Sequence, residues 1–131
     1  MAFEESFLVV DGCRIRLRRG GAGAPMLYLH GADGAPVIQP FMNTLASRYD
    51  LLVPEHPGFG QSDEIDWLEN IHDLAYFYLD LLDHLKLPEV HLVGSSIGGW
   101  LAMEIAVRDP SRVRSMTLVG DRKSTRLNSS H

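Results

Sequence analysis

Ser96 is the residue best placed to do chemistry in this sequence, because the segment Gly94-Ser95-Ser96-Ile97-Gly98 lies between an apolar run and a helical run. A side chain on a sharp strand-to-helix turn needs a strained backbone, which is tolerated only where nearby residues lack bulk. Gly94 and Gly98, two residues to either side, supply that room. The same turn aims the Ile97 backbone N–H and the positive end of the next helix dipole at whatever Ser96 attacks. The pattern predicts a nucleophilic serine with one oxyanion donor beside it.

The elements that must position this serine alternate along the chain. Asp11-Gly12 separates two β-rich runs and predicts an antiparallel hairpin. Four apolar runs predict further strands, and three stretches with apolar residues at spacings of three and four predict helices. The strands are expected at 26–29, 51–54, 90–93 and 113–119, and the helices near 41–46, 70–85 and 97–107. Asn70 is expected to cap the second helix.

This alternation predicts an α/β fold with a mostly parallel sheet, an antiparallel N-terminal hairpin and helices on both faces. Ligands of such folds collect at the carboxyl ends of the strands. His30 and Ser96 both follow predicted strands directly, so we expect them at that edge of the sheet.

Three motifs follow successive predicted strands: His30-Gly31-Ala32-Asp33-Gly34, His56-Pro57-Gly58-Phe59-Gly60-Gln61-Ser62, and Gly94-Ser95-Ser96-Ile97-Gly98-Gly99. Together they resemble the amino-terminal half of an α/β-hydrolase of the serine-nucleophile type, over essentially all of residues 3–120. The resemblance implies that Ser96 is the nucleophile and that the backbone N–H groups of Ile97 and Ala32 form the oxyanion hole. It gives supporting roles to His30, Gly31, Gly94 and Gly98. Glu55 departs from the family pattern, which usually has Asp at that position.

We expect residues 1–120 to be the N-terminal part of one such domain. Residues 121–131 carry no apolar periodicity and match, codon by codon, one reading frame of a common sequencing-adapter oligonucleotide, so we interpret them as a non-native tail. The alternative is an ordinary disordered C-terminus. In the family the triad acid and histidine follow the serine. His131 is the only later histidine, and it lies in this tail, so we expect the chain as given to be catalytically incomplete.

Composition narrows the function classes. The formal net charge is −5 and Lys and Arg form no basic cluster, so we expect neither nucleic acid nor a membrane surface as partner. The start of the chain lacks a secretory pattern, and Cys13 is the single cysteine, so we expect a cytoplasmic protein without an internal disulfide. Four arginines alternate along the second β-rich run, which predicts that most of them face solvent: Arg14, Arg16, Arg18 and Arg19.

The resemblance implies a hydrolase that forms an acyl-enzyme with a small ester, amide, lactone or C–C diketone-type substrate, and it implies no cofactor and no metal. Trp100 and Phe59 could line an acyl pocket, although core packing is the simpler role for an aromatic side chain. Two alternatives stay open, namely a non-catalytic ligand receptor on the same fold and an inactive gene fragment. The sequence leaves the oligomeric state open.

Overall fold

The computed structural model describes residues 3–64 and 69–120. Their strands are β1 (Glu4–Val10), β2 (Cys13–Gly20), β3 (Pro25–Leu29), β4 (Asp50–Pro54), β5 (Val90–Ser95) and β6 (Val113–Val119). The helices are α1 (Pro40–Ala46), α2 (Ile71–His84) and α3 (Ile97–Arg108), with a short 3-10 turn at Pro110–Arg112. Every predicted strand and helix is present, most within one or two residues of its expected bounds.

The six strands form one sheet in the order β1-β2-β4-β3-β5-β6. The pairs β1·β2 and β2·β4 are antiparallel, whereas β4·β3, β3·β5 and β5·β6 are parallel. Asp11 and Gly12 turn the first hairpin with φ angles of 51° and 78°, the left-handed values that a two-residue turn of this kind requires. The predicted fold class is therefore confirmed.

Apolar side chains cover both faces of the parallel strands. On one face α2 and α3 pack over Leu27, Leu29, Leu52 and Leu92. On the other face α1 packs over Met26, Tyr28, Leu51, Val53 and Val93. The strands are thus buried on both sides, as their continuous apolar runs predict.

The helix that precedes β5 begins as its sequence predicts. The Asn70 side chain accepts a hydrogen bond of 3.0 Å from the Asp73 backbone N–H, and the Asp73 carboxylate accepts one from the Glu69 N–H. These reciprocal bonds satisfy N–H groups that have no partner inside the helix. They fix where α2 starts.

The expectation that most arginines of β2 face solvent is wrong for two of them. Arg14 is exposed, but Arg16 and Arg18 are each only 8% exposed. The loop that follows β4 runs alongside β2, so that the Glu55 N–H donates to the Arg16 carbonyl and the Asp63 N–H to the Arg14 carbonyl. Arg18 is covered instead by the loop after β3, where it donates to the Ala35 and Pro36 carbonyls. Alternation along one strand does not reveal such coverage, because the covering residues are distant in the sequence.

The strand order places a crevice between β3 and β5. From β3 the chain crosses to β4 on one side, and it later returns to β5 on the other side. Where the order reverses in this way, the loops after the two neighbouring strands diverge and leave room for a ligand. These loops begin at His30 and Ser96, so the candidate site lies at this crevice.

Candidate active site

Ser96 has an unusual backbone. Its φ and ψ are 57° and −118°, whereas the residues before and after it belong to β5 and α3. A non-glycine residue at positive φ costs of order 1–3 kcal/mol and persists only where the surroundings impose it. The Ser96 N–H donates to the Val119 carbonyl of β6 at 2.9 Å, and the residue itself is exposed. The strain therefore holds a hydroxyl at the surface of the crevice.

Two glycines allow this turn because no side chain would fit at their positions. A Cβ on Gly94 would lie 2.3 Å from the Gly98 carbonyl oxygen. A Cβ on Gly98 would lie 2.0 Å from the carbonyl oxygen of Leu29 and 2.8 Å from that of His30. Helix α3 consequently packs directly against the backbone at the end of β3. The predicted need for glycine on both sides of Ser96 has this steric basis.

The loop after β3 touches the serine. A Cβ on Gly31 would lie 3.1 Å from Ser96 Cβ and 3.7 Å from Ser96 Oγ. Gly31 also begins a tight turn, in which the Gly34 N–H donates to its carbonyl at 3.0 Å and Gly34 has a φ of 78°. Ala32 is the second residue of this turn, so its backbone lies next to the serine.

Two backbone N–H groups are available beside Ser96. Ile97 is the first residue of α3, and the first N–H groups of a helix have no acceptor within it. Across residues 3–64 and 69–120, neither Ile97 nor Ala32 donates its N–H to another residue. Within that part of the chain, neither N–H has an acceptor. Asp33 also lines this region.

His30 and His56 form a buried pair behind this loop. The His56 N–H donates to His30 Nε2 at 2.9 Å, and His56 Nε2 donates to the His30 carbonyl at 2.8 Å. His30 Nδ1 donates to the Gly31 carbonyl at 2.7 Å, while the Tyr78 hydroxyl donates to His56 Nδ1 at 2.6 Å. The two rings stack with centroids 3.6 Å apart. All four ring nitrogens are engaged, so neither histidine is free to take the Ser96 proton.

Burial keeps both histidines neutral. It lowers the pKa of His30, and it lowers the pKa of His56 to about 3, where repulsion between the two rings if both were protonated adds to the decrease. Neutral rings are what this pattern needs, since His30 Nε2 and His56 Nδ1 act as acceptors. The pair has the structural role expected of His30, which is to hold the turn that carries Ala32.

Glu55 anchors the loop that follows β4. Its carboxylate accepts from Arg16 Nε at 2.9 Å and from Arg16 Nη2 at 2.7 Å, and it also accepts the Gln61 N–H at 3.0 Å. Glu55 is 1% exposed. A Cβ on Gly60 would lie 2.0 Å from this carboxylate. The longer Glu side chain therefore acts as the scaffold of this loop, through a bidentate ion pair that the sequence alone does not indicate.

A cavity of about 910 Å³ opens beside Ser96. Its walls are mostly apolar and come from β3, α1, β5, β6 and the turn before β4: Met26, Tyr28, Phe41, Leu45, Tyr49, Val93 and Val119. The polar lining residues are Asp33, Gln39, Thr44, Ser95, Ser96 and Thr117. Trp100 and Phe59 are not among the lining residues. Trp100 is 53% exposed and donates to Glu104, while the Phe59 ring packs edge-on against His30. The suggestion that these two aromatics line an acyl pocket is therefore wrong.

The part of the chain that the structure describes contains no group of three His, Cys, Asp or Glu side chains arranged to hold a metal ion. Within the same residues, no helix is long and apolar enough to cross a bilayer. The predicted tail at 121–131 lies outside the described residues, as does His131.

A strained serine between a parallel strand and a helix, at the switch point of a mixed sheet, is the arrangement of α/β hydrolases. The chain belongs to the α/β hydrolase fold family, whose model matches residues 24–130. This match extends into the segment 121–131, whose interpretation as a non-native tail stays a prediction.

Three relatives illustrate the similarity. The chain is 31% identical over 120 residues to a 2-hydroxymuconate semialdehyde hydrolase of Pseudomonas sp. (strain CF600). The aligned region covers 86% of this chain and 42% of that protein. The chain is 36% identical to the dihydrolipoyllysine-residue acetyltransferase component of the acetoin cleaving system of Cupriavidus necator, over 86% of this chain and 31% of the relative. A crystal structure of a meta-cleavage product hydrolase (CumD) superimposes with a TM-score of 0.74 at 26% identity, over 85% and 43% of the two chains. The chain thus spans less than half the length of these relatives.

Proposed function

We propose that residues 1–120 are the N-terminal part of a serine hydrolase, here called the parent protein, in which Ser96 forms an acyl-enzyme. The observation that carries the proposal is the positive φ of Ser96, which holds an exposed hydroxyl at the crevice beside an apolar cavity. Backbone strain of this kind is maintained where a side chain must be presented for function.

In the proposed mechanism Ser96 Oγ attacks the carbonyl carbon of the substrate. The carbonyl oxygen becomes an oxyanion and accepts hydrogen bonds from the N–H groups of Ile97 and Ala32. Each such donor stabilises the transition state by roughly 3 kcal/mol, because its orientation is fixed before the charge develops. When this tetrahedral intermediate collapses, the bond between the carbonyl carbon and the leaving group breaks, and the leaving group departs with the proton that the base took from Ser96. Water then hydrolyses the acyl-enzyme, which releases the acid and restores the Ser96 hydroxyl.

The base that takes the serine proton and the acid that orients the base are proposed to come from residues of the parent protein beyond Gly120. The hydrogen bonds of His30 and His56 support this, because both rings are already committed to structural roles. Without a base, a serine hydroxyl is a weak nucleophile. The 131-residue chain by itself is therefore expected to be inactive.

The proposed substrate is a small uncharged or weakly polar carbonyl compound, with its acyl part in the apolar cavity. The similarity to two meta-cleavage-type hydrolases keeps a C–C diketone-type substrate beside esters, amides and lactones. The acidic composition and the lone cysteine support a cytoplasmic enzyme without a nucleic-acid or membrane partner.

Labelling with a fluorophosphonate probe tests the proposal. The parent protein is expected to form one covalent adduct that disappears in Ser96→Ala. Ser95→Ala is the matched control, because Ser95 lines the same cavity but lacks the strained backbone of Ser96, and it should label like the wild type. A folded parent protein that does not react with the probe would instead support the non-catalytic receptor.

A further inference from the structure

Arg18 is a buried cation that forms no direct ion pair with a carboxylate of the described residues. It is 8% exposed, and the carboxylates of Glu55 and Glu5 favour its charge only from beyond ion-pair distance. The nearby Glu55 is bound by Arg16, and Arg18 Nε is buried with no hydrogen-bond partner among the residues that the structure describes. Burying an unpaired charge costs several kcal/mol, so its presence here needs an explanation.

The guanidinium of Arg18 holds the loop that carries Ala32. It donates from Nη1 to the Pro36 carbonyl at 3.1 Å and from Nη2 to the Ala35 carbonyl. On the other side of the same turn, His30 donates to the Gly31 carbonyl. Ala32 therefore lies in a short segment that is fastened at both ends, by an imidazole on one side and by a guanidinium on the other.

Arg18 keeps its charge in this buried position, so both of its Nη groups remain hydrogen-bond donors to the loop. Burial and the neighbouring Arg16 lower the pKa of Arg18, but a guanidinium remains protonated at physiological pH.

We propose that Arg18 is a positioning residue of the oxyanion hole, which fixes the Ala32 N–H through the Ala35 and Pro36 carbonyls. This inference rests on the proposed function. It gives a reason for a buried cation without a direct ion pair at this position of β2. Arg18 is not expected to touch the substrate, because it does not line the cavity.

The test uses the parent protein with p-nitrophenyl acetate as substrate and trifluoroacetophenone as an inhibitor that forms a tetrahedral oxyanion on serine. In Arg18→Gln, kcat per folded molecule is expected to fall about 10- to 100-fold, with KM changed less than about 2-fold. The inhibition constant should rise by a similar factor. Arg18→Lys keeps the charge but cannot hold both carbonyls, so its losses should be smaller but measurable. Arg14→Met, on the exposed part of the same strand, is the matched control and should behave like the wild type.

The inference is overturned if folded Arg18→Gln keeps kcat and inhibitor affinity within about 2-fold of the wild type. It is equally overturned if neither variant folds, because Arg18 is then a structural residue only. A wild-type parent protein that neither hydrolyses the ester nor reacts with a fluorophosphonate contradicts the proposed function itself, independently of Arg18.

Discussion

Substituting Gly98 by alanine should disrupt the contact between α3 and β3 on which the serine turn depends. The added Cβ would lie 2.0 Å from the Leu29 carbonyl oxygen, whereas ordinary contact begins near 3.4 Å. Backbone on both sides must therefore separate by about 1.4 Å, in an interior packed too tightly to absorb such a shift without loss of contacts. Overpacking of side chains costs about 1–3 kcal/mol, and an overlap with backbone should reach or exceed the upper value.

Gly99→Ala is the matched control for this substitution. The two glycines are neighbours in α3, but a Cβ on Gly99 would meet nothing closer than 3.4 Å. Both substitutions gain up to about 1 kcal/mol of helix propensity, so the difference between them isolates the steric overlap. We expect Gly98→Ala to be less stable than Gly99→Ala by about 3 kcal/mol or more.

Urea denaturation of the parent protein, followed by circular dichroism, measures this difference directly. Fluorophosphonate labelling of the same samples reports on the serine turn, and we expect Gly98→Ala to react far more slowly than Gly99→Ala even where both are folded. Equal stabilities of the two variants would refute the close packing of α3 on β3, and with it the steric reason for glycine at this position.

Three further predictions concern buried polar groups, each measured by urea denaturation of the parent protein. Glu55→Gln leaves the buried Arg16 with only the exposed carboxylate of Glu5, 3.4 Å away, as a charge partner and should cost up to about 3–5 kcal/mol. Glu89→Gln, at an exposed ion pair, should cost less than about 1 kcal/mol, and similar values would contradict the burial of the Glu55 pair. Tyr78→Phe removes the donor to His56 Nδ1 and should cost about 1–3 kcal/mol, and no loss would argue against that bond. Burial lowers the pKa of His56 from 6.5 to about 3, so the unfolded chain binds more protons than the folded protein between these two pH values. The free energy of unfolding should therefore be unaffected by His56 above pH 6.5 and should fall towards pH 3 by up to about 1.4 kcal/mol per pH unit. The loss should be shallower in His56→Gln.

The features that the sequence predicts are those set by local chemistry. Asp11-Gly12 defines the first hairpin, Asn70 caps α2, and the glycines around Ser96 define its turn, because each depends on residues only a few positions apart. Apolar runs likewise reveal strands that are buried on both faces.

The features that the sequence does not predict depend on contacts between segments that are far apart along the chain. Their alternation along β2 predicts that Arg16 and Arg18 face solvent. In the structure the loop after β4 supplies a carboxylate partner for Arg16, and the loop after β3 supplies carbonyl partners for Arg18. The stacking of His30 on His56 likewise joins two loops from neighbouring strands. The one available signal was the position of Glu55, an acidic residue that directly follows a buried strand and has an arginine-rich strand to pair with.

The most direct test of the central claim is a crystal structure of the parent protein after reaction with a fluorophosphonate. We predict a phosphorus bond to Ser96 Oγ, with the phosphoryl oxygen about 2.7–3.1 Å from the backbone nitrogens of both Ile97 and Ala32. Phosphorus bound to another residue, or a phosphoryl oxygen that points away from these two N–H groups, would contradict the account.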